Sequence, residues 1–160
     1  MTWRSSTTPL DRTFAALVYL IPLYDGIVYG RFLFAQFPFL TYLQYPLLPL
    51  AIVYSLIPFG LGSLLVFIAL FVGVVRNEKI PHFIRFNTMQ AILISIILAI
   101  VSLIYQVILQ PLIRGFFVEV LFNTIFQGVL VMVGYGVVQS ARGRYAEMPV
   151  ISEASYLQTR

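Results

Sequence analysis

The stretch PHFIRFNTMQ, Pro81 to Gln90, decides the fold. It holds the chain's one histidine, His82, together with Arg85 and the neutral polar side chains of Asn87, Thr88 and Gln90. Two long apolar runs flank it. No residue from Phe32 to Val75 is charged, and none from Phe86 to Ile113. Runs of that length read as membrane spans, because about 20 apolar residues cross the hydrocarbon. The decapeptide is therefore a span entrance. Polar groups placed there find partners or stay at the interface. One reading is that Arg85 and His82 anchor a helix end in the headgroups, as snorkelling basic residues do. The other is that Arg85, Asn87 and Gln90 serve function or assembly.

Composition agrees. Of 160 residues, 60% are hydrophobic and 10% charged, against about 25% charged in an average soluble domain. The mean hydropathy is +0.92. The class is an all-α integral membrane protein, and the length allows one compact bundle. Without cysteine there is no disulfide, thiolate metal site or cysteine nucleophile. The net charge of +4 does not point to nucleic acid, because the basic residues lie at span ends. No small-x-small cleavage site follows Phe14 to Tyr24, so no cleavable leader is expected.

Taken in order, residues 1–11 are a polar lead. Thr8, Pro9 and Asp11 suit a helix start, since proline fits the first turn and an acid favours the positive helix end. Residues 12–141 form the membrane domain, with four spans expected at about 12–30, 49–75, 86–110 and 117–139. Asp25 is interfacial if the first span ends near Tyr24, and a costly intramembrane charge if it reaches Gly30. Arg31 is its candidate ion-pair partner. Gly26 and Gly30 allow close helix approach. From Arg31 to Leu48 the aromatic residues and two prolines indicate a bent interfacial or re-entrant segment between spans 1 and 2. Pro58 is placed to kink the second span. There Ser55, Gly62 and Ala69 recur every seven residues and form a packing face. Residues 142–160 are a polar tail, expected to be mobile.

On the third span, Thr88, Ala91, Ser95, Ala99, Ser102, Gln106 and Gln110 form one small or polar face. On the fourth, Glu119, Asn123 and Gln127 repeat every four residues. The turn at Arg114-Gly115 is short, so the two helices are expected to be antiparallel neighbours. In that register Gln110 faces Glu119, Gln106 faces Asn123, Ser102 faces Gln127 and Ser95 faces Gly134. The alternative is that these groups face another helix or a cavity.

With four spans, eight of the ten basic residues share one side and two, Arg31 and Arg114, the other. Basic loops stay cytoplasmic, so both termini are expected in the cytoplasm or stroma.

The segment RFNTMQAILISI, with VVRNEKIPHFI before it, resembles the signature of the Tic-twenty family. Leu20 to Gln36 and the proline-bearing run Tyr45 to Phe59 match as well. The resemblance runs from about Arg12 to Arg142. That family is the twenty-kilodalton subunit of the protein translocon in the chloroplast inner envelope, with cyanobacterial homologues. The resemblance implies a four-span protein of a cyanobacterial plasma or thylakoid membrane, or of the plastid inner envelope. Its implied partners are other translocon subunits, further copies of itself and preproteins, besides the lipid bilayer.

No enzyme chemistry is legible. One histidine makes no multi-histidine metal site, no glycine loop cradles phosphate, and no carboxylate pair or Ser-His-Asp set is visible. No cofactor is expected. The classes left are a translocon or channel component and a membrane scaffold or assembly subunit, with a small-solute transporter third, since the halves show no inverted repeat. Asp25, Arg31, Arg85, Asn87, Gln90, Ser102, Gln106, Gln110, Glu119, Asn123 and Gln127 are the candidate path or helix-contact residues.

Overall fold

The structure is a computed structural model that describes residues 7–58 and 61–159. Arg4 in the polar lead, Arg160 in the tail and residues 59 and 60 in the second expected span lie outside the described residues. Every element among the described residues is helical.

The chain enters α1 (Pro9–Leu17) through a capping box. Thr8 Oγ1 accepts from the Asp11 amide at 3.2 Å, and the Asp11 carboxylate accepts from the Thr8 amide at 2.9 Å. Two free helix-end donors are thereby satisfied. α1 bends into α2 (Leu20–Gly26) at Val18 and Tyr19. Pro22 explains the bend: it has no N–H, and its ring crowds the carbonyl four residues back, that of Val18. A tight turn at Ile27–Gly30 leads to α3 (Arg31–Gln36). Together Pro9–Gln36 is a bent run of 28 residues, long and apolar enough to cross a bilayer. It continues past Gly30, so Asp25 lies inside the span.

Phe37 ends the run in a non-helical conformation, as the residue before Pro38 must. The aromatic segment is a series of 3-10 turns, Pro38–Leu47, lying beside α2 and α3. The second expected span is two pieces, α4 (Leu48–Ser55) and α5 (Gly62–Leu70), the latter extended by a wide turn at Phe71–Val75. The break is sharper than a proline kink. Gly62 comes so close to the Tyr54 backbone that a Cβ would sit 3.0 Å from it.

α6 (His82–Ile104) and α7 (Phe116–Ala141) are the other two helices of spanning length. α6 ends in a wide turn at Tyr105–Leu109, where the Gln110 amide reaches the Tyr105 carbonyl. That turn accommodates Pro111, which supplies no N–H. Gly115, at φ 60°, starts α7 in a conformation that favours glycine.

The expected hairpin is opened by the first helix. α1 and α2 pack against both α6 and α7 and lie between them. Small residues make this possible. A Cβ on Gly26 would stand 2.8 Å from Val129 Cγ1, and one on Gly30 would stand 2.9 Å from Phe126. Gly136 leaves room for the Tyr19 ring. Among the described residues, α7 meets Tyr105, just after α6, through Phe122 and meets Asn87 of α6 through Ser140. Both pairs lie two residues from the expected register. The depth alignment was nearly right, and the facing surfaces were not.

The tail is folded. α8 (Ile151–Thr159) lies against α6, burying Ser152, Ser155 and Thr159 at helical spacing. Ala146 and Met148 are buried ahead of it.

Candidate functional site

The span entrance of α6 is the polar centre of the bundle. Asn87, Thr88 and Gln90 are fully buried, and Arg85 is 8% exposed. The bend at Pro22 turns Tyr19 inward to meet them. Tyr19 Oη lies 3.0 Å from Asn87 Oδ1 and 2.9 Å from Gln90 Oε1. Ser140 Oγ donates to Asn87 Oδ1 at 3.1 Å, and Asn87 Nδ2 donates to the Phe83 carbonyl at 2.8 Å. Gln90 Nε2 is 2.8 Å from Ser152 Oγ, which accepts from the Met148 amide. One phenol proton cannot fully serve two carbonyl oxygens. With the Gln90 amide reversed, each donor has its own acceptor. Ser152 then donates to Gln90, Gln90 to Tyr19, and Tyr19 to Asn87. Four helical segments are joined by this one network. In hydrocarbon each such bond is worth about 0.6–2 kcal/mol.

Arg85 is not a headgroup anchor. Its Nε donates to the Val75 carbonyl at 2.8 Å, at the end of the wide turn that closes α5. A cation at the negative end of a helix is favourable, more so when buried. His82 carries the tail. Its ring nitrogens lie 3.0 Å from the Tyr145 hydroxyl and 3.2 Å from the Thr159 hydroxyl. Thr159 already donates to the Ser155 carbonyl, so it accepts from His82.

A second polar region lies deeper. Asp25 lines a cavity of about 440 Å³ with Tyr54, Ser63, Ser95 and Ser102, among apolar side chains of α2, α5 and α6. Tyr54 Oη and Ser95 Oγ are buried there and make no hydrogen bond of ordinary geometry. Arg31 is not the partner of Asp25. Its guanidinium lies 4.4 Å from the centre of the Phe122 ring, on another side of the helix. The tight turn at Ile27–Gly30 separates the two residues, and their side chains line different depressions.

The other expected pairs are not formed. Gln106 Nε2 donates to Ser102 Oγ at 2.8 Å on its own helix, not to Asn123. Glu119 accepts from Gln36 Nε2 at 2.8 Å. Gln110 and Glu119 do line one depression, with Arg31 and Arg114. Asn123 Oδ1 is buried without a partner, and Gln127 is exposed on α7. Tyr19, Ser140 and Ser152 are absent from the sequence-derived set. The signal that could have found Tyr19 is Pro22, which forces the bend. Ser140 and Ser152 carry no comparable signal.

Comparison with known proteins places this arrangement. A family model described as "Chloroplast import apparatus Tic20-like" matches residues 7–155. A Tic20 family protein of Synechocystis is 47% identical over 100% of this chain and 99% of its own length. Protein TIC 20-II, chloroplastic, of Arabidopsis thaliana is 32% identical, over 97% of this chain and 76% of its own. Protein TIC 20-v, chloroplastic, of the same plant is 35% identical, over 91% and 69%. The matched region runs from just ahead of the capping box at Thr8 to the middle of α8. The chain belongs to the Tic20 family.

Proposed function

We propose that this chain is a membrane subunit of a protein translocon whose polypeptide path runs along its outer surface or between copies, not through its own interior. The observation that carries this is the filled centre. The first helix occupies the space between α6 and α7, and the entrance polar groups of α6 bond to one another and to the tail. A single copy built this way offers no wide aqueous route. Family membership supports a translocon role for the chain, and the packing favours a shared path. Both termini lie on the cytoplasmic or stromal side in this reading, because the basic residues divide eight to two.

One observation favours a scaffold instead. Gln127 is exposed on α7, and an amide exposed on a helix in a membrane binds partner helices. Planar-bilayer recording separates the two readings. For a shared path, conductance steps are expected only when copies associate, rising more steeply than protein density and altered by a basic presequence peptide. A silent bilayer at every density, with the protein still assembling into larger complexes, would leave the scaffold reading.

A further inference from the structure

The Asp25 cavity lies beside the core, and its carboxyl takes no part in the polar network around Asn87 and Gln90. A carboxylate within the hydrocarbon is costly unless it meets a cation, a donor or water. Asp25 makes no ion pair among the described residues. Arg31 is engaged with Phe122 and Arg85 with Val75. The Tyr54 hydroxyl near the carboxyl makes no hydrogen bond among the described residues, and Ser95 stands within reach of the carboxyl. A carboxyl and hydroxyls gathered in a largely apolar chamber suit a cationic group that brings its own apolar stem.

The lining fits such a group. Asp25, Tyr54 and Ser95 stand together, Ser63 and Ser102 add two hydroxyls, and most of the remaining lining is apolar, including Ile21, Phe67 and Ile92. Val28, Leu64 and Ile96 line the cavity and are exposed, so it opens sideways onto the lipid-facing surface. The break between α4 and α5 makes one wall, with Tyr54 on one piece and Ser63 on the other. An alkyl stem with a cationic head satisfies all of this: the stem covers apolar wall, and the head meets a carboxylate and two hydroxyl acceptors. A headgroup amine would have to leave the interface, because Asp25 lies near the middle of the run Pro9–Gln36. A basic residue within a membrane-lying polypeptide is already at that depth.

We propose that the Asp25 cavity receives a lysine or arginine side chain of a polypeptide segment lying in the bilayer against α2, α5 and α6. The assignment rests on the translocon reading for the identity of that polypeptide, and not for the binding itself.

The test uses the full chain in lipid nanodiscs and an apolar peptide of about 20 residues, long enough to span. The peptide carries one central lysine with a photoreactive residue beside it. Controls replace the lysine with norleucine or glutamate. The lysine peptide is expected to label the wall near Leu64 and Ile96 roughly an order of magnitude more than either control. Asp25→Asn should reduce labelling to the norleucine level, and Asp25→Glu should keep most of it. Should Asp25→Asn fail to fold, Leu64→Trp narrows the mouth with the carboxyl intact and must block the lysine peptide equally. Equal labelling by all three peptides, or a lysine advantage that survives Asp25→Asn, overturns the proposal. So does full displacement of the peptide by an equal amount of a long-chain primary alkylamine, which would make the site one for amine lipids. Polypeptide uptake by vesicles containing the wild-type chain is measured separately. Its failure alongside Asp25-dependent labelling would reject the translocon reading and leave the site.

Discussion

Arg85 Nε donates to the carbonyl of Val75 at 2.8 Å. The bond closes the loop between α5 and α6 and caps the helix end at Val75 from the side of α6. Replacing Arg85 by methionine keeps the buried stem and removes the donor. The expected cost is about 1.5–3 kcal/mol, the range for hydrogen bonds to charged groups. Thermal unfolding in detergent micelles reads it directly. Arg85→Met as stable as the wild type would return Arg85 to the role of a headgroup anchor.

Tyr19→Phe removes the hydroxyl between Asn87 and Gln90. The expected loss is about 1–2 kcal/mol, because two buried amides lose a partner together. Asn87→Leu or Gln90→Leu alone also leaves groups stranded. The triple variant removes the three central members at once and should cost less than the sum of the singles. Strict additivity in the same unfolding measurement would mean that these residues do not act as one network.

Gly26 lies where a Cβ would stand 2.8 Å from Val129 Cγ1. Gly26→Ala is expected to destabilise the bundle by about 1–3 kcal/mol through overpacking. Val129→Ala in the same chain should restore most of the loss. If Val129→Ala makes Gly26→Ala worse, the first helix does not lie against α7 at this level.

Cysteine pairs test the opened hairpin without background, since the chain has no cysteine. The Tyr105 and Phe122 rings are 4.9 Å apart. Cysteines at 105 and 122 should join through a short bifunctional reagent within one chain. Cysteines at 106 and 123 should join much less well. The reverse order would reinstate the polar zipper between α6 and α7.

Arg142 and Arg144 are exposed at the start of the tail, and trypsin added to the cytoplasmic or stromal face should cut there. Ser152→Ala removes the contact of the tail with Gln90. A loss of about 1 kcal/mol opens the docked tail roughly fivefold more often, and cleavage at the Arg144–Tyr145 bond, where Tyr145 is held by the docked tail, should quicken to match. Cleavage only from the opposite face would overturn the orientation.

The spans and their entrances could be read from residue chemistry alone. Apolar length marks a helix that crosses, and Thr8, Pro9 and Asp11 carry their own reason for starting one. The entrance at Arg85 to Gln90 stood out because polar groups in hydrocarbon need partners. Which partners they find was not legible. Tyr19 bonds across 68 positions and Ser152 across 62, and no local pattern specifies such distant pairing. The polar faces of α6 and α7 were read correctly for depth, because a short turn sets depth. Their facing was misread, because nothing in either helix says that a third will lie between them. The tail read as mobile because its buried face is only Ser152, Ser155 and Thr159.

The bond between Gln90 and Ser152 also has a temporal side. Its two ends are 62 residues apart in the chain, and synthesis proceeds at about 5–20 residues per second. The interval between making one end and the other is therefore several seconds at least. During it Gln90 has Tyr19 as a neighbour but not yet Ser152, so one end of its amide waits for the tail. The contact forms only once α8 has emerged and docked, so the tail supplies the last-made member of the bundle's polar centre.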